Sequence, residues 1–485
     1  MRRSTQLLTA WWQRLARVAA TCFFHALSHL RPPSIISPPI CSKQYYVTYS
    51  KFIVNLQWIS NASIIMDFII DREEYLKRLI VRRDNGLVKV ITGPRRSGKS
   101  FLLDPLYKNY LLGQGVAQDH IISISFDVED EDTSEELLDR QKLKDYLYSR
   151  ITGKDEPYYV FLDEIQEVEG FERIVNGLNR HPNVDVYING SNSKFLSHDI
   201  VTIFRGRTDE VNVMPLKFKE FCQGRTESDT ELWKEYYTYG GLPALRKMPT
   251  AEQKTAYLQR LWKKTYLDDV VERYHLANRD ALESIADALC SSIGSLTNIS
   301  RISNTLESVR KIHITNDTVS KYIGYLEDAF LFNEARRFNI KGNRYYENVK
   351  KYYSVDVGLR NARLNYRQLE PNHLMENIIF NELLHRGYSV DVGVVEHRTM
   401  KDGKSQYLQY EVDFIAANGN DKYYIQSAFE ISDEAKRQQE LNSLVRIEDS
   451  FQKIVIVKDD IMPYRDDHGI YFVGLLQFLR SDTIG

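Results

Sequence analysis

A chain of 485 residues is too long for one typical core, and its 43% hydrophobic and 27% charged residues are those of an ordinary globular protein of two or three domains. The net charge of -2 excludes wholesale coating of nucleic acid, so any basic surface is local. The cysteines Cys22, Cys41, Cys222 and Cys290 form no CxxC pair, which argues against a disulfide framework or a zinc site and for a reducing, cytoplasmic setting.

The chain opens on a segment unlike the rest. Between Met1 and Ile65 there is no Asp or Glu, while Arg2, Arg3, Arg14, Arg17, Arg31, Lys43 and Lys51 are present. Arg14 and Arg17 break the apolar run and leave Val18 to Leu27 too short to span a bilayer, so no membrane insertion is expected. Charge-balanced, patterned sequence begins abruptly at Asp67, and residues 1–65 are read as a disordered or wrongly translated extension before a working start at Met66.

After Met66, Tyr75, Leu76, Leu79 and Ile80 recur at helical spacing, and Leu87 to Thr92 reads as a short buried strand. A helix through Phe101 to Leu112 follows, then strands at His120 to Phe126, Tyr158 to Leu162 and Val184 to Ile188, with a helical stretch near Leu137 to Ser149. Strands alternating with helices predict a parallel sheet over residues 66–228. The acidic run Asp127 to Asp132 reads as a solvated loop.

From Thr230 to Ile293 the chain is helical, with Leu232, Trp233, Tyr236, Tyr237, Leu258, Leu261 and Trp262 as core positions. A helix around Ile299 to Leu306 precedes one that Thr315 or Asn316 caps, whose apolar face is Val319, Ile323, Leu326 and Phe330. With Leu331 to Phe338 and Arg344 to Tyr346 flanking the Lys341-Gly342-Asn343 turn, residues 229–350 read as a helical and winged-helix region. Residues 351–485 read as a second α/β unit, with a helix from Leu374, strands at Glu411 to Ala416 and Tyr423 to Ala428, a further helix and a strand at Lys453 to Val457.

Chemistry concentrates between the first strand and its helix. Gly93-Pro94-Arg95-Arg96-Ser97-Gly98-Lys99-Ser100 matches GxxxxGK[ST] at the strand-to-helix junction that this motif requires. Its glycines let backbone N–H groups curl around phosphates, Lys99 neutralises the β and γ phosphates, and the Ser100 hydroxyl suits Mg2+. Tyr158 to Leu162 then delivers Asp163 and Glu164 to the end of a strand, where Asp163 would hold the metal and Glu164 would activate water. ATP with Mg2+ is the expected ligand pair. The run Asn189-Gly190-Ser191-Asn192-Ser193 places small polar groups beside that edge, with Asn192 or Ser191 as the sensor of the γ-phosphate, and Arg205-Gly206-Arg207 offers an arginine for transition-state charge.

These segments, in this order, resemble the prokaryotic AAA-type P-loop ATPases that carry a C-terminal nuclease-like domain of unknown function. The resemblance runs from about Met66 to the C-terminus on ITGPRRSGKS, FLDEIQEVEGFE, INGSNSKFL, FRGRTDEVNVMPLKFKEF, YGGLP, YIGYLEDAFLF, KYYSVDVGLRNA, EVDFIA and YYIQ. It implies Walker A roles for Gly93 to Ser100, Walker B roles for Asp163 and Glu164, a sensor near Asn192 and an arginine role for Arg207. For residues 351–485 it implies a restriction-endonuclease-like fold with Glu376, Asp413 and Gln426 at the metal positions. There Gln426 stands where an acid belongs and Ala428 where a lysine belongs, so a degenerate site without nuclease activity is expected.

The expected function is ATP binding and hydrolysis driving DNA- or protein-binding domains, with oligomerisation open. Arg336, Arg337, Lys341, Arg344, Lys350 and Lys351, interleaved with Phe338, Tyr345, Tyr346, Tyr352 and Tyr353, are the candidate DNA contacts. A nucleotide-switched DNA-binding protein without turnover and an ATPase-controlled nuclease are the alternatives.

Overall fold

The computed structural model describes residues 69–126, 135–153, 155–190, 204, 206–401, 404–430 and 434–484. The chain divides into two units, Met1–Asp67 and Phe68–Gly485, and all described residues belong to the second. The expectations for residues 1–65, for Asp127 to Asp132, and for Ser191, Asn192 and Arg205 fall outside the described residues.

Five strands, β1 (Val88–Thr92), β2 (Ile121–Ser125), β3 (Tyr158–Asp163), β4 (Val184–Asn189) and β5 (Thr208–Asn212), form one sheet in the order β2-β3-β4-β1-β5. All its pairings are parallel. Helices cover both faces of the sheet, which are largely apolar apart from the buried Lys89–Asp185 pair between β1 and β4. Val88, Val90, Val160, Leu162, Val186 and Ile188 pack on Leu143, Leu147, Ile174, Val175 and Leu178. Ile91, Tyr159, Phe161, Tyr187 and Val211 face Tyr75, Leu79, Leu103, Tyr107 and Leu111 on the other side. The helical stretch after β1 leaves helical geometry at Asp104, whose φ of -130° and ψ of 112° reflect the following Pro105.

The helical region keeps its own core, from Leu242 through Trp262, Leu282, Ile285, Leu289, Val319 and Ile323 to Leu359. Thr315 caps the helix Asn316–Asp328 by accepting the Thr318 N–H at 3.2 Å. Two of the resemblance segments lock onto each other here. The Asp356 carboxylate accepts the Gly241 N–H at 2.7 Å, and Asn361 donates to the Tyr237 and Thr238 carbonyls. Glycine is required at both contacts, since a Cβ on Gly240 would lie 2.1 Å from Asp356 Oδ1 and one on Gly358 1.8 Å from the Tyr239 carbonyl oxygen.

The remaining nine strands are β6 (Leu296–Thr297), β7 (Phe332–Asn339), β8 (Arg344–Ser354), β9 (Ser389–Lys401), β10 (Lys404–Asn418), β11 (Asp421–Ala428), β12 (Gln452–Val457), β13 (Tyr464–Arg465) and β14 (Tyr471–Gly474). They make one mixed sheet ordered β13-β14-β12-β11-β10-β9-β7-β8-β6. The β7–β8 hairpin expected to be a wing is therefore not free-standing: β7 pairs in parallel with β9 through Arg337, Phe338 and Asn339. The boundary drawn at residue 350 falls inside β8. The fold is α/β: a P-loop NTPase parallel sheet followed by helical and mixed-sheet regions. Among the described residues no helix is long and apolar enough to cross a membrane.

Candidate functional site

The loop Gly93 to Ser100 leaves the C-terminal end of β1 and turns through left-handed backbone at Arg96 (φ 65°) and Gly98 (φ 94°) into the helix that starts at Lys99. Gly93 is fixed by crowding: a Cβ there would stand 2.2 Å from the Val213 carbonyl oxygen, at a φ of 132°. Gly93→Ala is expected to cost about 3 kcal/mol of stability through this backbone clash, read from chemical denaturation. Beneath the loop lies Arg72, itself buried. It donates to the Ser97 carbonyl at 3.0 Å and the Met214 carbonyl at 2.7 Å, and pairs with Glu220 at 3.1 Å.

Lys99 is buried and folds back onto the loop, donating to the Gly93 and Pro94 carbonyls at 3.0 and 2.9 Å. Burial pulls its ammonium down to about 8, against the raising influence of Glu164 and Asp163. Parallel pairing brings Asp163, at the end of β3, level with Asn189 at the end of β4, and β4 borders β1. Burial raises the Asp163 carboxyl, while a hydrogen bond with Ser100 lowers it. Glu164 sits at φ 52°; its N–H donates to Asn189 Oδ1 at 3.1 Å, and its carboxylate accepts from the Gln166 amide.

Three buried polar atoms of these segments have no hydrogen-bond partner among the described residues, Ser97 Oγ, Asp163 Oδ1 and Gln166 Oε1, while the Asn189 side chain bears on the Asp163 carboxyl. Buried polar groups are ordinarily satisfied, so this cluster marks a place built to bind polar ligand atoms. A hydroxyl and a carboxylate oxygen in mutual contact also suit a hard divalent cation with oxygen ligands. Arg95 faces outward, paired with Asp269 at 2.6 Å, and its carbonyl accepts the Tyr266 hydroxyl at 3.2 Å.

Gly93 to Ser100, Asp163 and Glu164 thus meet at one sheet edge, and Arg207 does not join them. Its carbonyl accepts the Val88 N–H, which places it at the start of β1, roughly 13 Å of strand away from the loop at 3.3 Å per residue. Parallel strands put their first and last residues on opposite edges, so the Arg207 backbone and the loop stand at opposite ends of β1. Sequence reasoning named Asn189 only as the first residue of a polar run, and Gln166 only within the FLDEIQEVEGFE segment, without a role for either. Arg72, Tyr266 and Asp269 lie in unremarkable sequence.

In the mixed sheet, Asp413 and Gln426 come together, the Asp413 N–H reaching Gln426 Oε1 at 3.4 Å. Between them and the helix Pro371–His385 a lysine intrudes. Lys351 of β8 is buried and pairs with Glu376 at 2.9 Å and Glu411 at 2.7 Å, while Tyr353 donates to the same Glu376 oxygen at 2.7 Å. Burial opposes its charge, but Glu376, Asp413 and Glu411 together outweigh burial and hold the ammonium well above its ordinary value. Asp413 is raised well above the usual carboxylate range, first by burial and then by Glu376. Among the described residues no group of three His, Cys, Asp or Glu is arranged to hold a metal ion. Lys351 is thus a buried counter-ion rather than a DNA contact, and Lys350 pairs with Glu334.

Residues 85–222 match the family model described as an AAA domain, and residues 230–370 match a domain of unknown function, DUF8612. A protein of Haemophilus influenzae described as uncharacterized is 37% identical over 393 residues, covering 80% of this chain and 93% of that one. Another of Methanocaldococcus jannaschii, also described as uncharacterized, is 28% identical over 392 residues, covering 77% and 83%. Among solved structures, a Walker-type ATPase of Pyrococcus abyssi aligns with a TM-score of 0.43 at 16% identity, over 61% of this chain and 96% of that one. By that identity and coverage the chain belongs to the family of the Haemophilus influenzae protein, and its N-terminal part is of the AAA type.

Proposed function

We propose that this protein is a Mg2+-dependent ATPase that converts ATP and water to ADP and phosphate. The observation that carries the reading is the gathering of the Gly93–Ser100 loop, Lys99, Asp163 and Glu164 at one strand edge, with buried polar atoms that lack partners among the described residues. The loop N–H groups and Lys99 bind the β and γ phosphates, the ammonium leaving the Gly93 and Pro94 carbonyls to do so. Ser100 and Asp163, in mutual contact, would hold the magnesium, which would neutralise charge developing on the phosphates. Glu164, held by Gln166 and by its own N–H on Asn189, orients the attacking water and takes its proton. Asn189 is a second positioning group, beside the sensor role proposed for Asn192.

The helical and mixed-sheet regions are the parts this cycle would move, toward DNA or a protein partner. The carboxylates Glu376, Glu411 and Asp413 around Lys351 favour a binding role for the mixed sheet over strand cleavage, since the ammonium stands among the groups a metal would need. Of the proposed DNA contacts, Arg336 stacks over Tyr345 at 4.1 Å, both half-exposed, and suits a base or backbone.

Phosphate release from ATP tests the assignment. Turnover is expected with Mg2+ and expected to vanish with EDTA. Turnover that persists in EDTA, or none in the presence of Mg2+ with or without DNA, rejects it.

A further inference from the structure

Tyr266 and Asp269, beyond the residues matched as an AAA domain, touch the Gly93–Ser100 loop, and both lie on the helical run Leu261–Arg273. Tyr266, only 2% exposed, donates its hydroxyl to the Arg95 carbonyl at 3.2 Å. One turn on, Asp269 takes the Arg95 guanidinium at 2.6 Å. The neighbouring acid does not compete, since Asp268 is engaged by Arg279 at 2.7 Å. The contact therefore joins the third residue of the loop to one carboxylate of the helical region. Burial pushes the Asp269 carboxyl up to about 6, with Arg95 opposing, as fits an acid that depends on that arginine.

A guanidinium in this position has one charge and two claimants once phosphates enter the loop. The pair with Asp269 is partly exposed on both sides, at 34% and 39%, and pairs of that kind contribute about 1 kcal/mol or less. Arginine bonds to a phosphate in bidentate fashion, with stronger, charge-assisted hydrogen bonds. The phosphate should win.

We propose that Asp269 is a stand-in anion for Arg95, displaced when the γ-phosphate of a bound nucleoside triphosphate draws the guanidinium away. The helix Asp268–Arg273 is thereby released, and the helical region registers the third phosphate while Tyr266 keeps the outer turn of the loop in place. The proposal rests on the assignment of Gly93 to Ser100 as a phosphate loop. Linkage makes the coupling reciprocal: whatever the γ-phosphate takes from Asp269, removing Asp269 returns to the γ-phosphate.

Affinities of the full chain for Mg2+ with a non-hydrolysable ATP analogue, and for MgADP, test this by calorimetry in the parent, Asp269→Asn, Arg95→Ala and the double variant. Asp269→Asn is expected to bind the triphosphate roughly threefold to fivefold more tightly, the ceiling for such a pair, with ADP unchanged. In the Arg95→Ala background the same substitution is expected to have no effect. Amide exchange across residues 266–275 is expected to quicken with the triphosphate and not with ADP. Equal tightening for ADP, no tightening, tightening that survives Arg95→Ala, or unchanged exchange overturns the coupling while leaving the loop assignment intact. A parent that binds neither nucleotide overturns both.

Discussion

A Glu164→Gln chain is expected to bind MgATP as tightly as its parent and to hydrolyse it about 10²–10⁴-fold more slowly, the usual worth of a positioned general base. Glutamine keeps the size of the side chain but cannot take a proton, and the Glu164 N–H on Asn189 is untouched by the substitution. Lys99→Ala should behave differently. Here the ammonium that faces the phosphates is removed, so affinity and turnover are both expected to fall. Equilibrium binding of a fluorescent ATP analogue beside a phosphate-release assay separates the two variants. Glu164→Gln with parental turnover would remove the carboxylate from the mechanism.

Lys351→Met is expected to destabilise the chain by about 3–5 kcal/mol, because breaking a buried ion pair from one side strands the other side. Here three carboxylates depend on that ammonium: Glu376 and Glu411 by direct contact, and Asp413 through its field. Lys351 lies on β8, Glu411 on β10 and Glu376 on the helix packed against them, so the loss falls on the joint between three elements. Urea denaturation measures it. Adding Glu376→Gln and Glu411→Gln to Lys351→Met is expected to restore much of the loss, since neutral amides leave no unpaired charge. A single variant within 1 kcal/mol of the parent would show that water, not Lys351, meets those carboxylates.

The legible part of this fold is the part whose signals are local. The strands β1, β3 and β4 were readable as mainly apolar runs, within a residue or so of their observed ends, because strands covered on both faces carry few polar residues, here Lys89 and Asp185, which pair with each other. The hairpin Phe332 to Ser354 was readable as a hairpin and not as part of a larger sheet. Its partner β9 begins at Ser389, and nothing in either segment specifies a parallel pairing across that gap. The 13-residue strand β9 itself was not anticipated, its alternating Val390, Val392 and Val394 being too short a pattern beside the polar His397, Arg398 and Thr399.

At the site the same division holds. Gly93 to Ser100, Asp163 and Glu164 were found from sequence because their chemistry demands particular residue types at fixed spacing beside a strand end. That the Arg207 backbone lies at the far end of β1 from the loop was not legible, because a sequence has no sense of which edge of a parallel sheet a residue occupies. Arg72, Tyr266 and Asp269 carry no motif, and Lys351, which opens KYYSVDVGLRNA, was read as a DNA contact. Each is an ordinary residue whose meaning comes from what lies against it, as the third loop residue lies against Asp269 at 2.6 Å. The sequence alone determined the α/β alternation and the strand-to-helix setting of Gly93 to Ser100, Asp163 and Glu164, since those depend on neighbours along the chain. Tertiary structure alone decided that a lysine sits among Glu376, Glu411 and Asp413, that the expected wing joins a nine-stranded sheet, and that the helical region reaches the loop. Those contacts join residues far apart in sequence, and only folding makes them neighbours.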